Sequence, residues 1–406
     1  MQNHRRIVQG VATLVTLGAA GVAVLLAALA VERRTEITLP IPTGAFAVGR
    51  TIFDWTDEAT ADTLAPVAGA RRELLVWIWY PSAAGTTAPI ADYIPAAMRA
   101  AVPASGPMKW VTRDASQVHA HSRTDPGLSP QPPTFPVVVM RAGASAGVAN
   151  YTTLAEDLAS HGYVVVGFDA PYRTSAVVFP DGRVMRRTPA NNPERCAEKP
   201  QAEQDACMTK LLAAWTADTA FVLDRLEGLN TADASGTFTG RLDLTRVGMF
   251  GHSFGGATTA QFCHDDARCK AGIDVDGQPF GDVVQSGLRQ PFMFLLSDHA
   301  AATDPVSRQI LANIGSIYDR LPADGRRRLA IRGANHFLFS DDGGLLKSHV
   351  VLGALRRLGV VGIDGRRQLE ITAYCVRSFF DAHLKGSGAE GWTIASPLYP
   401  EIQVLE

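Results

Sequence analysis

From Phe46 onward, short runs rich in β-branched and aromatic residues alternate with longer stretches of helical apolar spacing. That alternation predicts an α/β fold: a mostly parallel sheet covered by helices on both faces. Leu74–Tyr80 stops at Pro81 and reads as an early strand, paired antiparallel with the run around Phe46 to Phe53. Val137–Met140 is continuously apolar, as a strand buried on both faces should be. A helix follows from about Tyr151 to Ser160 and ends at His161-Gly162, where glycine suits the left-handed cap. Tyr163–Phe168 gives the next strand, Met208 to Leu229 has helical spacing, and Val247–Phe250 is a further buried strand. Two segments break the rhythm. Residues 82–136 are rich in Pro, Gly and Ala, with one short helix expected near Ala96, and are expected to run over the surface near a pocket mouth. Residues 171–207 carry prolines and paired charges and read as a lid or rim insertion. Residues 45–390 are therefore expected to form one domain with no internal repeat.

Ahead of that domain, residues 1–34 are of another kind. Arg5 and Arg6 precede a run from Ile7 to Val31 without a charge, and Glu32-Arg33-Arg34 closes it. As a helix the run spans about 36 Å, enough for a hydrocarbon core of about 30 Å. It reads as a signal peptide, with small residues at Ala28-Leu29-Ala30, or as an uncleaved anchor that tethers the protein to a membrane through residues 7–31. Both readings export the rest of the chain to a periplasmic or extracellular space. Export permits disulfides among the five cysteines. Proximity in sequence suggests Cys196 with Cys207 and Cys263 with Cys269, leaving Cys375 as a small core residue. The net charge of −2 over 406 residues supplies no basic stripe for nucleic acid. His119-x-His121 is read as a solvated pair in a polar loop, so no metal and no cofactor is expected.

The chemistry gathers at Gly251-His252-Ser253-Phe254-Gly255, a G-x-S-x-G pentapeptide preceded by an apolar strand and followed by the small residues Gly256, Ala257 and Thr258. A serine on a strained strand-to-helix turn needs neighbours without bulk, and the helix start favours developing negative charge. This is the nucleophile elbow of an α/β-hydrolase fold. Serine is a weak nucleophile, so a histidine must take its proton and a carboxylate must orient that histidine, in the chain order serine, acid, histidine. Of the four later histidines, His336 leaves the end of the predicted strand Leu329–Arg332; His383 falls in an amphipathic helix, and His299 and His349 read as surface residues. His252, inside the elbow, is expected to point away from the reaction. Asp276 and Asp298 each end a predicted strand, and the residues alone do not choose between them; Asp274 sits inside its strand. The oxyanion needs two amide donors, expected from Phe254 and from Ala144 in the loop Arg141–Gly147.

With these residues assembled, the sequence resembles the platelet-activating factor acetylhydrolase family of lipases and esterases, including its bacterial members, from about Phe46 to Lys385. The likeness rests on Gly251–Ala257, Ala159-Ser160-His161-Gly162, Gly272–Asp276 and Ile331–His336. It implies Asp276 as the acid and short-acyl or phospholipid-like esters as substrates. The family's oxyanion loop commonly carries His-Gly where this chain has Ala142-Gly143. The expectation is a serine ester hydrolase with Ser253, His336 and Asp276 as its triad. A cutinase-like polyester hydrolase is the alternative within that chemistry, and a membrane-tethered, non-catalytic binding protein is the alternative outside it.

Overall fold

The computed structural model describes residues 2–101, 113–298, 304–345, 353, 356–359, 362–386, 394 and 396–405. His299 and His349 lie outside the described residues, as does the end of the predicted domain at 387–390. The apolar runs line up side by side as one sheet whose body is β1 (Ala47–Ala61), β2 (Arg71–Ser82), β3 (Phe135–Arg141), β4 (Val164–Asp169), β5 (Leu242–His252), β6 (Cys269–Val275), β7 (Phe292–Leu296) and β8 (Arg326–Ile331). Their order is β1-β2-β4-β3-β5-β6-β7-β8. β2 runs antiparallel to β1 and to β4, and from β4 to β8 every pairing is parallel. This is the α/β-hydrolase sheet, with the antiparallel start the sequence predicts.

The helix α1 (Gln2–Arg33) comes first, and six others serve the site and its surroundings: α2 (Thr152–Ser160), α3 (Pro193–Ala197), α4 (Gln201–Thr231), α5 (Phe254–Asp265), α6 (Pro305–Tyr318) and α7 (Gly365–Leu384). Alternation along β3 explains its unbroken apolar run. Val138 packs with Leu154 of α2 and Phe379 of α7, whereas Val137 and Val139 pack with Val222 of α4, Ala260 of α5 and Ile314 of α6. Both faces are covered, so neither set of side chains can be polar.

Three expectations change. The described part of 82–136 contributes no residue to the cavity described below. It forms the short helix Ala96–Ala101 and the strand Val118–Thr124, which extends the β1 edge of the sheet. His119 and His121 therefore sit on a strand, where the His121 Nε2 meets the Leu39 carbonyl at 3.0 Å. α4 begins at Gln201, earlier than its apolar spacing suggests, because Glu203, Gln204 and Asp205 make a polar first turn that hides the periodicity. Residues 171–200 hold the hairpin Ala176–Val178 with Val184–Arg186, then α3.

Disulfides join Cys196 to Cys207 and Cys263 to Cys269, and Cys375 is a buried free thiol. α1 exposes Leu17, Val22, Val24, Leu25 and Leu26, and its Thr16–Arg33 stretch has a mean hydropathy of 1.6. By length and composition it can cross a membrane. Its end is tied to the domain by the Asp114 amide, which donates to the Arg33 carbonyl at 3.0 Å.

Candidate active site

β5 delivers the chain to Ser253 with φ 57° and ψ −123°, a conformation that costs a non-glycine residue about 1–3 kcal/mol. Neighbouring bonds hold it there: the Ser253 amide donates to the Val275 carbonyl at 2.9 Å, and the Gly256 and Ala257 amides donate to the Ser253 carbonyl at 2.9 and 3.2 Å. Both motif glycines are required by contact. A Cβ on Gly251 would lie 2.1 Å from the Gly255 oxygen, and one on Gly255 would lie 2.4 Å from the Arg141 oxygen. The elbow is thus wedged between α5 and β3, with Ser253 at the helix N-terminus.

The loop after β3 approaches the same point. The Gly143 carbonyl accepts from the Ala146 amide at 3.1 Å, which fixes the Gly143–Ala144 peptide plane. In a trans peptide the Ala144 N–H then points to the opposite side. Ala144 and Phe254 line one cavity, and neither amide donates to a described protein acceptor. From outside, the insertion braces this loop: the Ser175 amide and hydroxyl both donate to the Ser145 carbonyl, at 3.1 and 2.6 Å, and Arg187 reaches the Ser145 hydroxyl.

Asp276 follows β6 with φ 54°, a turn an aspartate tolerates better than most residues. Its Oδ2 lies 2.7 Å from the His336 Nδ1 and accepts from the Ser297 hydroxyl at 2.8 Å, while its Oδ1 accepts from the Ser297 amide at 2.7 Å. Such donors favour the carboxylate, which in turn fixes the imidazole with Nδ1 as a donor. Asp298 is engaged elsewhere: its Oδ2 accepts from the Gly333 amide at 2.9 Å, at the base of the turn that carries His336. Asp274 is buried under the elbow and accepts from the Gly277 amide at 2.7 Å; burial pushes its carboxyl well above the usual range. His383 lies in α7, 4.6 Å from the Phe379 ring.

His252 departs from expectation. As the last residue of β5 it stands at the carboxyl edge of the sheet, and its ring lines the cavity, with its centroid 4.6 Å from that of His336. Its Nε2 lies 2.9 Å from the His336 carbonyl, and its Nδ1 lies 2.8 Å from the Tyr151 hydroxyl. Burial, followed by the neighbouring His336, lowers its pKa to about 3, so it is neutral. Sequence reasoning missed three other supports: Ser297, Tyr151 and Gln368. The Gln368 side chain accepts from the Asn335 amide at 3.0 Å and donates to the Asn335 carbonyl at 2.8 Å. Only Ser297 had a signal, its place directly before the competing Asp298.

The cavity measures about 490 Å³ and takes in Ser253, Asp276 and His336. Its apolar wall is Met208, Phe280, Ile310, Leu311 and Ile314, and its rim includes Pro193, Glu194 and Ala197 of α3. Rim and α4 are stapled by the Cys196–Cys207 disulfide. Among the described lining residues there is no lysine or arginine.

A family model described as platelet-activating factor acetylhydrolase, isoform II, matches residues 222–390, the stretch that holds Ser253, Asp276 and His336. A probable 1-alkyl-2-acetylglycerophosphocholine esterase of Arthroderma benhamiae is 25% identical over 407 residues, covering 93% of this chain and 96% of that protein. The platelet-activating factor acetylhydrolase of Cavia porcellus is 26% identical over 220 residues, covering 51% of this chain and 48% of that relative. Among solved structures, a ferulic acid esterase from Streptomyces cinnamoneus aligns with a TM-score of 0.72 and 27% identity, covering 91% of this chain and 99% of that one.

Proposed function

We propose that this chain, a carboxylic ester hydrolase homologous to the platelet-activating factor acetylhydrolases, cleaves short-acyl or phospholipid-like esters through an acyl-enzyme on Ser253. The observation that carries the reading is the Asp276–His336 contact of 2.7 Å in the cavity that also holds Ser253 at the strained elbow. The Ser253 Oγ attacks the ester carbonyl as His336 Nε2 takes its proton, and Asp276 stabilises the imidazolium. The carbonyl oxygen gains charge and is met by the Phe254 and Ala144 amides. As the tetrahedral adduct collapses, the C–O bond to the alcohol breaks and His336 returns the proton to the departing oxygen. Water then repeats the sequence on the acyl-enzyme and frees the acid.

The apolar wall suits an acyl chain or an aromatic acid, and the cavity lies within the size range of small-molecule sites. Glu194 on its lining, without a described lysine or arginine, disfavours a substrate of net negative charge near the mouth. The ferulic acid esterase match favours a second reading, aryl acid esters, on the same machinery. α1 and the two disulfides support an exported enzyme held at a membrane surface, where lipid esters are at hand.

A series of p-nitrophenyl esters from acetate to dodecanoate, alongside a feruloyl ester and Ser253→Ala, tests the proposal. Activity that falls beyond short chains and vanishes in Ser253→Ala supports the first reading. A preference for the feruloyl ester installs the second. An inert parent that a fluorophosphonate does not label rejects both and leaves the non-catalytic alternative.

A further inference from the structure

We propose that Tyr151 and His252 are positioning residues that join the oxyanion loop to the His336 turn through one hydrogen-bonded chain. The proposal rests on the ester-hydrolase reading of Ser253, Asp276 and His336. The Gly143 amide donates to the Tyr151 hydroxyl at 3.1 Å, that hydroxyl lies 2.8 Å from the His252 Nδ1, and the His252 Nε2 lies 2.9 Å from the His336 carbonyl. Bond polarity along the chain is forced. A carbonyl oxygen only accepts, so Nε2 must carry the hydrogen. A neutral imidazole then offers Nδ1 as an acceptor, the Tyr151 O–H donates to it, and a tyrosine lone pair remains for the Gly143 N–H. Tyr151 and His252 are both buried, with 2% and 7% of their surfaces exposed, so water does not readily replace a missing member.

The two ends of this chain are the two parts of the site that must agree in position. At one end, the Gly143 amide fixes the near side of the residue whose far side carries the Ala144 N–H. At the other, the His336 backbone is fixed by His252 while its ring is fixed by Asp276. His252 directly precedes Ser253, so the chain passes through the elbow itself. A shift of the oxyanion loop is therefore transmitted to the base, and the reverse. Breaking the chain costs transition-state stabilisation more than ground-state binding, because the oxyanion and the imidazolium both develop during the chemical step.

The test uses the full-length chain in detergent, with steady-state hydrolysis of p-nitrophenyl acetate, fluorophosphonate capture by Ser253 and thermal melting. Tyr151→Phe removes one oxygen and keeps the ring; His252→Leu removes both ring nitrogens; His252→Gln retains an amide that can donate to the His336 carbonyl. The expected result is a kcat lower by about ten-fold in Tyr151→Phe with KM within about two-fold, below the 10²–10³ cost of deleting an oxyanion donor outright. The Tyr151→Phe/His252→Leu double variant is expected to be no slower than its slower single, since one broken link already disables the chain. His252→Gln is expected to keep more kcat than His252→Leu. A kcat within about two-fold of the parent in folded Tyr151→Phe, or losses that multiply in the double variant, overturns the proposal. Should Tyr151→Phe not fold, the decision passes to His252, where equal losses in Gln and Leu overturn it. A parent that neither hydrolyses the ester nor captures the fluorophosphonate marks the failure of the hydrolase reading instead.

Discussion

Asp276 and Asp298 stand at equivalent ends of neighbouring strands, yet their carboxylates touch different things. Asp276 meets the ring of His336 and both donors of Ser297, whereas Asp298 caps the backbone of Gly333. Replacing Asp276 with Asn removes the charge that holds Nδ1–H and stabilises the imidazolium, so kcat is expected to fall by about 10³–10⁴ while the fold survives. Asp298→Asn keeps an oxygen for the Gly333 amide, and activity is expected within a few-fold of the parent. Steady-state kinetics on the two variants decides it, and a collapse in Asp298→Asn with survival of Asp276→Asn would reverse the assignment. The placement of Ser253 and His336 on one cavity was legible in sequence because their local signals are strong: a pentapeptide that only fits one kind of turn, and a loop leaving the last strand. Which aspartate meets His336 was not legible from the residues, because it depends on which strand end the His336 turn faces. Tyr151 lies 101 positions from His252 and Gln368 lies 33 from Asn335, so no local pattern could have announced them.

Elements carry the site between them, and Asp341 is where two of them are joined. Its amide donates to the Asn150 carbonyl at 2.6 Å, and its Oδ1 accepts from the Thr153 amide at 3.1 Å. The turn bearing His336 is thereby fastened to the start of α2, close to Tyr151. Burial pushes the Asp341 carboxyl up to about 8 from the ordinary 3.8. Between those two values the folded state keeps a proton that the unfolded chain has released, so this group's contribution to stability falls as pH rises, and the loss is complete above about pH 8. Asp341→Asn carries no charge at any pH and keeps the acceptor. In urea unfolding, the variant is expected to gain on the parent steadily from pH 5 to pH 8.5. A gap that stays constant with pH would mean that Asp341 is already ionised in the fold at pH 5. The sheet that sets these elements side by side was readable because strands buried on both faces have to be continuously apolar. Residues 82–136 were not, since the strand Val118–Thr124 lies in the outer part of the sheet, between β1 and short flanking strands, where His119, His121 and Arg123 break the apolar pattern.

At the scale of the whole molecule, an apolar helix, a stapled hydrolase domain and one sequestered thiol fit a single history. Disulfides form and persist in an oxidising compartment, and the apolar α1 is consistent with export to one. Both disulfides close short loops, with sequence separations of 11 and 6, so each acts on local geometry: one on the rim of the cavity, the other between the end of α5 and the start of β6. Cys375 is buried in α7, and burial raises its thiol far above the ordinary value, which leaves it protonated and unreactive. The chain made in an exporting host is therefore expected to show no thiol to a disulfide reagent when native, one after unfolding, and five after unfolding and reduction. If α1 stays attached, the same chain is expected to sediment with membranes and to be released by detergent and not by high salt, since a buried apolar helix is indifferent to ionic strength. Chain made in a reducing cytosol is expected to show five thiols once unfolded and to melt at a lower temperature, because losing a native disulfide typically costs about 2–4 kcal/mol. Three thiols after unfolding of the exported chain would leave one disulfide unformed. The rim disulfide would then be tested directly, by whether Cys207→Ser changes the acyl-chain preference while Cys269→Ser does not.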